Sequence, residues 1–443
     1  MRRALSVAKL GTFRHGVRPD ERKEATEHLP IERMPFVKTY VLPLSQHTGK
    51  PSKPIVAVGD RVERGELIAE ADGFISTALH APVTGTVVAI EPRPHPNGRK
   101  MPAIVIEIDP FSSQQITQRL AHGEQVLLDL VQGVQQAGIV GLGGAAFPSH
   151  VKLQVPEGKI VRFVIINGCE CEPYLTCDHR LMVERADDVV KGLRLIMKQV
   201  GAERGYIGVE INKKDAIEAL EREVGDDAAI EIVALAVKYP QGAEKTLIDA
   251  IFKREVPAGG LPLELDIVVQ NVGTAASLAD LVDEGIPLIE RIVTVSGPGM
   301  RRPTNLIVPV GTLLEDVVEH CGGLLPETRQ VIFGGPMMGQ AQKRLDVPVL
   351  KGTSGILALT SPAALVREEP CIRCGRCLEA CPMFLNPSRL AQLVKLERAQ
   401  ELADLHQMDC FECASCSFVC PSNIPLVQMM RVGKAMVRSM KQP

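Results

Sequence analysis

The sequence predicts a multidomain chain in which a β-rich barrel or sandwich is followed by an α/β domain, a small α+β module and a helical tail bearing cysteines. Three observations carry that prediction. The 443 residues leave room for about three domains of roughly 150 residues each. The apolar pattern passes from short Val/Ile runs cut by Gly, Pro and Asp to alternating helical and strand-like stretches. Eight of the twelve cysteines fall in two runs near the C-terminus.

In chain order, residues 1–115 hold the β-rich runs at 55–91 and 103–109, punctuated by turn residues. Residues 116–285 open on helical spacing at 124–138, continue with a strand at 161–168 and a helical pattern at 182–200, then strands at 232–237 and 265–274; that alternation is α/β. A shift at Gly285-Ile286-Pro287 begins the module 286–345, with short strands around one helix. Residues 346–443 carry the cysteine runs among helical segments.

Composition narrows the function classes. With 45% hydrophobic and 23% charged residues and a net charge of -3, the chain has an ordinary soluble balance, not that of a nucleic-acid binder. No tryptophan and four tyrosines leave few platforms for stacking bases. No apolar run reaches 18 residues and the basic N-terminus lacks an apolar core, so the expected address is cytoplasmic, with peripheral membrane contact through partners. Reduced thiols suit that address.

Cys371-x2-Cys374-x2-Cys377-x3-Cys381-Pro382 recurs as Cys410-x2-Cys413-x2-Cys416-x3-Cys420-Pro421. A [4Fe-4S] cluster needs four inward thiolates, and in two-cluster arrangements the fourth Cys of each run serves the other cluster. The expected sets are Cys371, Cys374, Cys377 with Cys420, and Cys410, Cys413, Cys416 with Cys381. Two structural zinc sites are the alternative, but they need only paired cysteines and leave the third Cys and the trailing Pro unexplained. Cys169, Cys171 and Cys177 lack this spacing and read as free thiols or as a further metal site; Cys321 reads as a small core residue.

Gly141-Leu142-Gly143-Gly144-Ala145-Ala146 formally fits G-x-G-x-x-G/A, but a helical stretch precedes it where the dinucleotide fingerprint needs a strand. It reads either as a bare tight turn or as a loop over which a ligand meets the backbone, with Lys152 near enough to meet a phosphate. Asn167-Gly168-Cys169-Glu170-Cys171-Glu172-Pro173 ends a strand with two carboxylates, suited to ribose hydroxyls or to a solvated turn.

GLGGAAFPSHVKL, INGCECEPYLTCDHRLM, YPQGAEKTLIDAI and QNVGTAASLADLV, in that order, resemble the flavin-binding subunit of respiratory complex I. With the N-terminal SQHTGKPSKPIVAVGDRVERGELIAEADGFISTALHAPVTGTVVAIE and the double cysteine motif, the chain resembles the C subunits of Rnf ion-translocating NADH:ferredoxin oxidoreductases. That resemblance implies an N-terminal β barrel-sandwich hybrid, a Rossmann-like flavin domain, an SLBB module of β-grasp type and a helical two-[4Fe-4S] ferredoxin-like domain. It implies non-covalent FMN, NADH as substrate, and electrons leaving through two clusters to a ferredoxin-like subunit at the cytoplasmic face of the bacterial inner membrane. By position, Gly141, Gly143, Gly144 and Lys152 would hold the FMN phosphate; Asn167, Glu170 and Glu172 would contact flavin or nicotinamide ribose. Tyr239, Gly242 and Glu244 would face the nucleotide, and Asn271 and Thr274 the flavin phosphate. No side chain is expected to act as acid or base, because hydride transfer needs only stacked rings and a dry pocket. Ala243, Ala146 and Cys169 depart from the complex I pattern, and two clusters in place of one favour the Rnf branch.

Residues 54–90 resemble half of a lipoyl or biotinyl carrier, but Glu70-Ala71-Asp72-Gly73-Phe74 has no lysine to modify, which favours a docking barrel. Arg431, Lys434, Arg438 and Lys441 form a basic stripe that suits anionic lipid, an acidic partner or plain solvent. The rival functions are a soluble NADH-dependent flavin and iron-sulfur reductase donating to cobalamin or amino-acid reductases, and a relay without flavin.

Overall fold

The computed structural model describes residues 10–361 and 367–440. Its first sheet system is the barrel. Strands Thr39–Pro43, Lys100–Ile108, Gly85–Pro94 and Arg61–Val62 form one antiparallel sheet, and Lys53–Pro54, Leu67–Glu70 and Leu79–His80 form a second. Alternate residues point inward, as a half-buried sheet requires, and Tyr40, Leu42, Ile68, Leu79, Val87, Ile104 and Ile106 fill the space between the sheets. The hairpin tip is tied to the next domain: Gln135 donates to the carbonyls of Gly73 and Ser76, and a His150 ring nitrogen meets the Phe74 carbonyl at 2.8 Å. It is a docking edge and not a free carrier tip.

The central domain has four parallel strands in the order Ile230–Leu235, Arg204–Glu210, Phe163–Asn167, Ile267–Asn271. Val164 and Ile166 face one side and Ile165 the other, the period-2 rule applied to a sheet covered on both faces. Helices Ala186–Val200 and Val272–Glu284 cover the first face. They approach closely because Gly192 lacks a side chain; a Cβ there would lie 2.1 Å from the Ala275 carbonyl oxygen. The helical stretch expected at 182–200 is two helices, Cys177–Glu184 and Ala186–Val200, separated at Arg185.

The third domain is a six-stranded sheet with helix Leu314–His320 packed on it through Leu314, Val317 and Val318. Its composition differs from the sequence-based division in two places. Strand Ile31–Arg33 pairs in parallel with Thr304–Pro309, and Gly355–Leu359 pairs with Glu290–Ser296. Residues 10–33 therefore leave the barrel, and the sheet extends past 345; short strands carry too little local signal to announce a distant partner. Residues 10–28 run along the central domain, where Val17 and Tyr239 exchange backbone hydrogen bonds of 2.8 and 2.9 Å.

The last domain packs helices Arg376–Ala380, Pro387–Lys395, Ala399–Asp404, Ser415–Phe418 and Leu426–Met440 around Leu390, Leu393, Leu402, Leu426, Met430 and Val437. The basic stripe is partly engaged inside this domain. Arg431 and Lys434 both pair with Glu412, and Lys434 also donates to the Cys410 carbonyl at 2.7 Å. Lys441 lies outside the described residues. Among the described residues, no helix is long and apolar enough to cross a membrane.

Candidate functional site

The carboxyl ends of the parallel strands carry the chemistry, the place where open α/β sheets bind ligands. Asn167 and Asn271 end neighbouring strands in register. Asn271 caps helix Val272–Glu284 by accepting from Gly273 N–H at 2.8 Å and donates to Asp178 at 2.7 Å. Asn167 donates to the Gly242 carbonyl at 2.7 Å. The glycine loop arches over this edge, and its Gly143 lies beside Asn271, where an added Cβ would sit 3.7 Å from that side chain. Thr274 pins the loop, accepting from Leu142 N–H at 3.0 Å and donating to the Val140 carbonyl at 3.2 Å. Gly144 has φ +107° and open space where a Cβ would project. Lys152 reaches the same edge, with its Nζ 2.7 Å from Glu244 and 3.1 Å from the Val269 carbonyl. The structure thus gathers Gly141, Gly143, Gly144, Lys152, Asn167, Gly242, Glu244, Asn271 and Thr274 around one edge.

Three expected nucleotide-facing residues have other partners. The Glu170 carboxylate accepts from the backbone of Asp178 and His179 at the start of helix Cys177–Glu184 and faces the Cys177 thiol. The Glu172 carboxylate accepts from the N–H groups of Met337 and Met338, both at 2.9 Å. Burial raises its pKa to about 7, against the pull of those two bonds. Tyr239 is only 1% exposed, and its hydroxyl donates to the Cys413 carbonyl at 2.8 Å. Gly242 is constrained by crowding, since a Cβ would fall 2.3 Å from the Cys169 carbonyl oxygen.

Cys169, Cys171 and Cys177 are thiols whose pKa values burial pushes up, the inert condition of buried cysteine. Glu170, Cys177 and Asp178 present ligand atoms within 4.8 Å of one another, and burial raises Asp178 to about 7. Cys321 is buried, and burial raises its thiol to about 11.

Two contributors had no sequence signal. Lys23 is buried and donates to the carbonyls of Glu170 at 2.9 Å and Glu172 at 3.0 Å, and to that of Leu175. Lys351 is buried and donates to the carbonyls of Ala78 and Gly138, each at 2.7 Å, joining barrel, central domain and third domain; burial lowers its amine to about 7. A lone lysine in an irregular stretch has no period or spacing by which to mark it.

In the helical domain, Cys381 lines one pocket together with Cys410, Cys413 and Cys416. Cys377 and Cys420 are partly buried and pack against the core of this domain. Cys371 and Cys374 are exposed. The trailing Cys of the first run thus sits with the second run.

A doubly wound sheet with a glycine loop at its carboxyl edge, joined to a helical domain that brings four cysteines to one pocket, fits a flavin and iron-sulfur electron-transfer protein. The family descriptions match in the same order: RnfC barrel sandwich hybrid domain at residues 11–110, Nuo51 FMN-binding domain at 134–280, SLBB domain at 292–341 and 4Fe-4S dicluster domain at 370–424. The chain is 46% identical over 402 residues to the C subunit of the proton-translocating ferredoxin:NAD(+) oxidoreductase complex of Clostridium ljungdahlii, covering 90% of this chain and 88% of that one. It is 44% identical to the Na(+)-translocating counterpart of Acetobacterium woodii, covering 96% and 97%. It is 41% identical to the C subunit of the ion-translocating oxidoreductase complex of Rhodobacter capsulatus, covering 96% and 82%. The chain belongs to the family of C subunits of Rnf ion-translocating oxidoreductases. It carries an FMN-binding domain and a domain for two [4Fe-4S] clusters.

The residues present fit both groups. A cubane takes four thiolates, and the pocket of Cys381, Cys410, Cys413 and Cys416 offers four and no competing imidazole. A phosphate monoester takes backbone N–H groups and a cation, and the edge offers a glycine loop and Lys152.

Proposed function

We propose that this chain is the NADH-oxidising subunit of an ion-translocating ferredoxin:NAD+ oxidoreductase. One observation carries the reading: the Tyr239–Cys413 hydrogen bond, 2.8 Å long, ties the central domain to a four-cysteine pocket. A bound FMN would supply the exchange between a two-electron hydride donor and one-electron carriers. The chain's own residues bind and orient. Gly141, Gly143, Gly144 and Lys152 hold the phosphate; Asn167, Asn271 and Thr274 fix the strand ends and the loop around it. Gly242 and Glu244 form the facing wall, and Glu244 offers Lys152 a counter-charge until an anion takes it.

Glu170, Glu172 and Tyr239 lie one step further out, each bonded to protein groups and holding neighbouring elements together. Cys410, Cys413, Cys416 and Cys381 ligate an inner cluster against the flavin domain. Cys371, Cys374, Cys377 and Cys420 ligate an outer one, whose exposed cysteines face a ferredoxin-like partner. Attachment to the cytoplasmic face of the membrane then comes through the other subunits.

Anaerobic purification with flavin, iron and sulfide quantified, followed by NADH addition, tests this. Flavin bleaching together with the EPR signals of two reduced clusters is expected. Clusters without flavin would leave a relay module. Flavin and clusters that reduce with NADH but pass electrons only to a soluble reductase would favour the soluble-donor function.

A further inference from the structure

The glycine loop has an uneven hydrogen-bond pattern. Five of its carbonyls are taken: Val140 by Thr274, Leu142 by Arg291, Phe147 by Gly141 N–H, Ala145 by the Thr48 hydroxyl at 3.0 Å and Ala146 by the Thr48 N–H at 3.1 Å. The N–H groups of Gly143, Gly144, Ala145 and Ala146 have no acceptor among the described residues. Successive backbone amides left without acceptors form the concavity in which anions bind. The donors that occupy the carbonyls come from three domains: Thr274 from the central one, Arg291 from the third and Thr48 from the barrel.

The third domain closes the same side. Gly352 packs so tightly that a Cβ would meet Ala146 Cβ at 3.0 Å and the Gly144 carbonyl oxygen at 3.3 Å. Lys351, next to it, ties the barrel to the central domain. The barrel therefore reaches the back of the loop at Thr48 while the third domain holds both in place.

We propose that the barrel backs the phosphate loop, and that Thr48 is a positioning residue: by taking the carbonyls of Ala145 and Ala146 it leaves the amides of residues 143–146 to a phosphate monoester. This rests on the flavin reading. Thr48 does not touch the ligand; it removes the freedom of the Ala145 and Ala146 carbonyls, which would repel the phosphate, to turn toward the site. Preorganisation of this kind appears as affinity, because the loop no longer has to be ordered on binding.

The test uses the full chain with its clusters, stripped of flavin, and two probes: FMN, and riboflavin, which lacks the phosphate. Thr48→Val keeps the shape and the backbone N–H and removes the hydroxyl; Thr48→Ser restores the hydroxyl. Loss of one hydrogen bond predicts a rise of about fivefold in the FMN Kd for Thr48→Val. Riboflavin binding and the cluster EPR spectrum should be unchanged, and Thr48→Ser should match wild type. An FMN Kd for Thr48→Val within twofold of wild type, an equal loss for riboflavin, or a Thr48→Ser that behaves like Thr48→Val overturns the proposal and leaves the flavin reading standing. A wild-type chain that takes up neither probe overturns both.

Discussion

Replacing Glu172 by alanine separates two roles for this carboxylate, nucleotide ligand or tie between domains. Its oxygens accept from Met337 and Met338 at 2.9 Å each, linking the acidic loop of the flavin domain to the third domain. A hydrogen bond to a charged group is worth about 1.5–3 kcal/mol, so the pair at full ionisation contributes at least about 3 kcal/mol. Burial raises the Glu172 pKa to about 7, which shows that desolvation of the carboxylate offsets part of that gain, and about 2 kcal/mol is the working figure. That is about thirtyfold in a local opening equilibrium. Hydrogen exchange read by mass spectrometry should therefore show peptides spanning Met337 and Met338 exchanging about thirtyfold faster in Glu172→Ala. Barrel peptides should be unchanged, and the KM for NADH should stay within twofold. Unchanged protection at these amides together with a tenfold rise in KM would refute the tie and restore Glu172 as a nucleotide ligand.

Other predictions read different parts of the chain. Lys213 and Glu210, each 1% exposed, pair at 2.9 Å, so Lys213→Met strands a buried carboxylate and should cost about 3–5 kcal/mol in urea unfolding of the central domain; adding Glu210→Leu should recover most of it. Burial holds His47 at about 4 and His80 at about 3, below the ordinary value, so both are neutral in the folded barrel while the unfolded chain takes up protons below about pH 6.5. Stability should fall as pH drops from 6.5 toward 4, by about 2 kcal/mol per histidine at pH 5, and urea midpoints that do not change between pH 7.5 and 5 would count against it. Cys381→Ser should disturb the EPR signal of the cluster held by the second run, and Cys420→Ser that held by the first. The opposite assignment would mean that each run closes on itself.

Much of this chain is legible from one-dimensional pattern. Cysteine spacing encodes the ligand geometry of a cubane, because x2 and x3 intervals fix how far the backbone curls between thiolates. Alternation along 163–167 reads as a strand buried on both faces, and helical period marks 186–200, because both are local consequences of backbone geometry. The glycine loop is legible only as a turn or a ligand-approach loop, and Asn271 is singled out only by the family resemblance, not by its local pattern.

What tertiary structure decided is which polar groups are already spoken for. Nothing local tells that Glu172 meets Met337 and Met338, that the Glu170 carboxylate receives the first amides of helix Cys177–Glu184, or that Tyr239 reaches Cys413. These pairs join residues from distinct parts of the fold, and a carboxylate reads the same in sequence whether it waits for a ribose or holds two amides. Only the fold brings residues 10–33 away from the barrel, and only the fold sets Thr48 behind a loop 97 residues distant. Spacing records chemistry carried by neighbours in the chain; hydrogen-bond satisfaction is settled by neighbours in space.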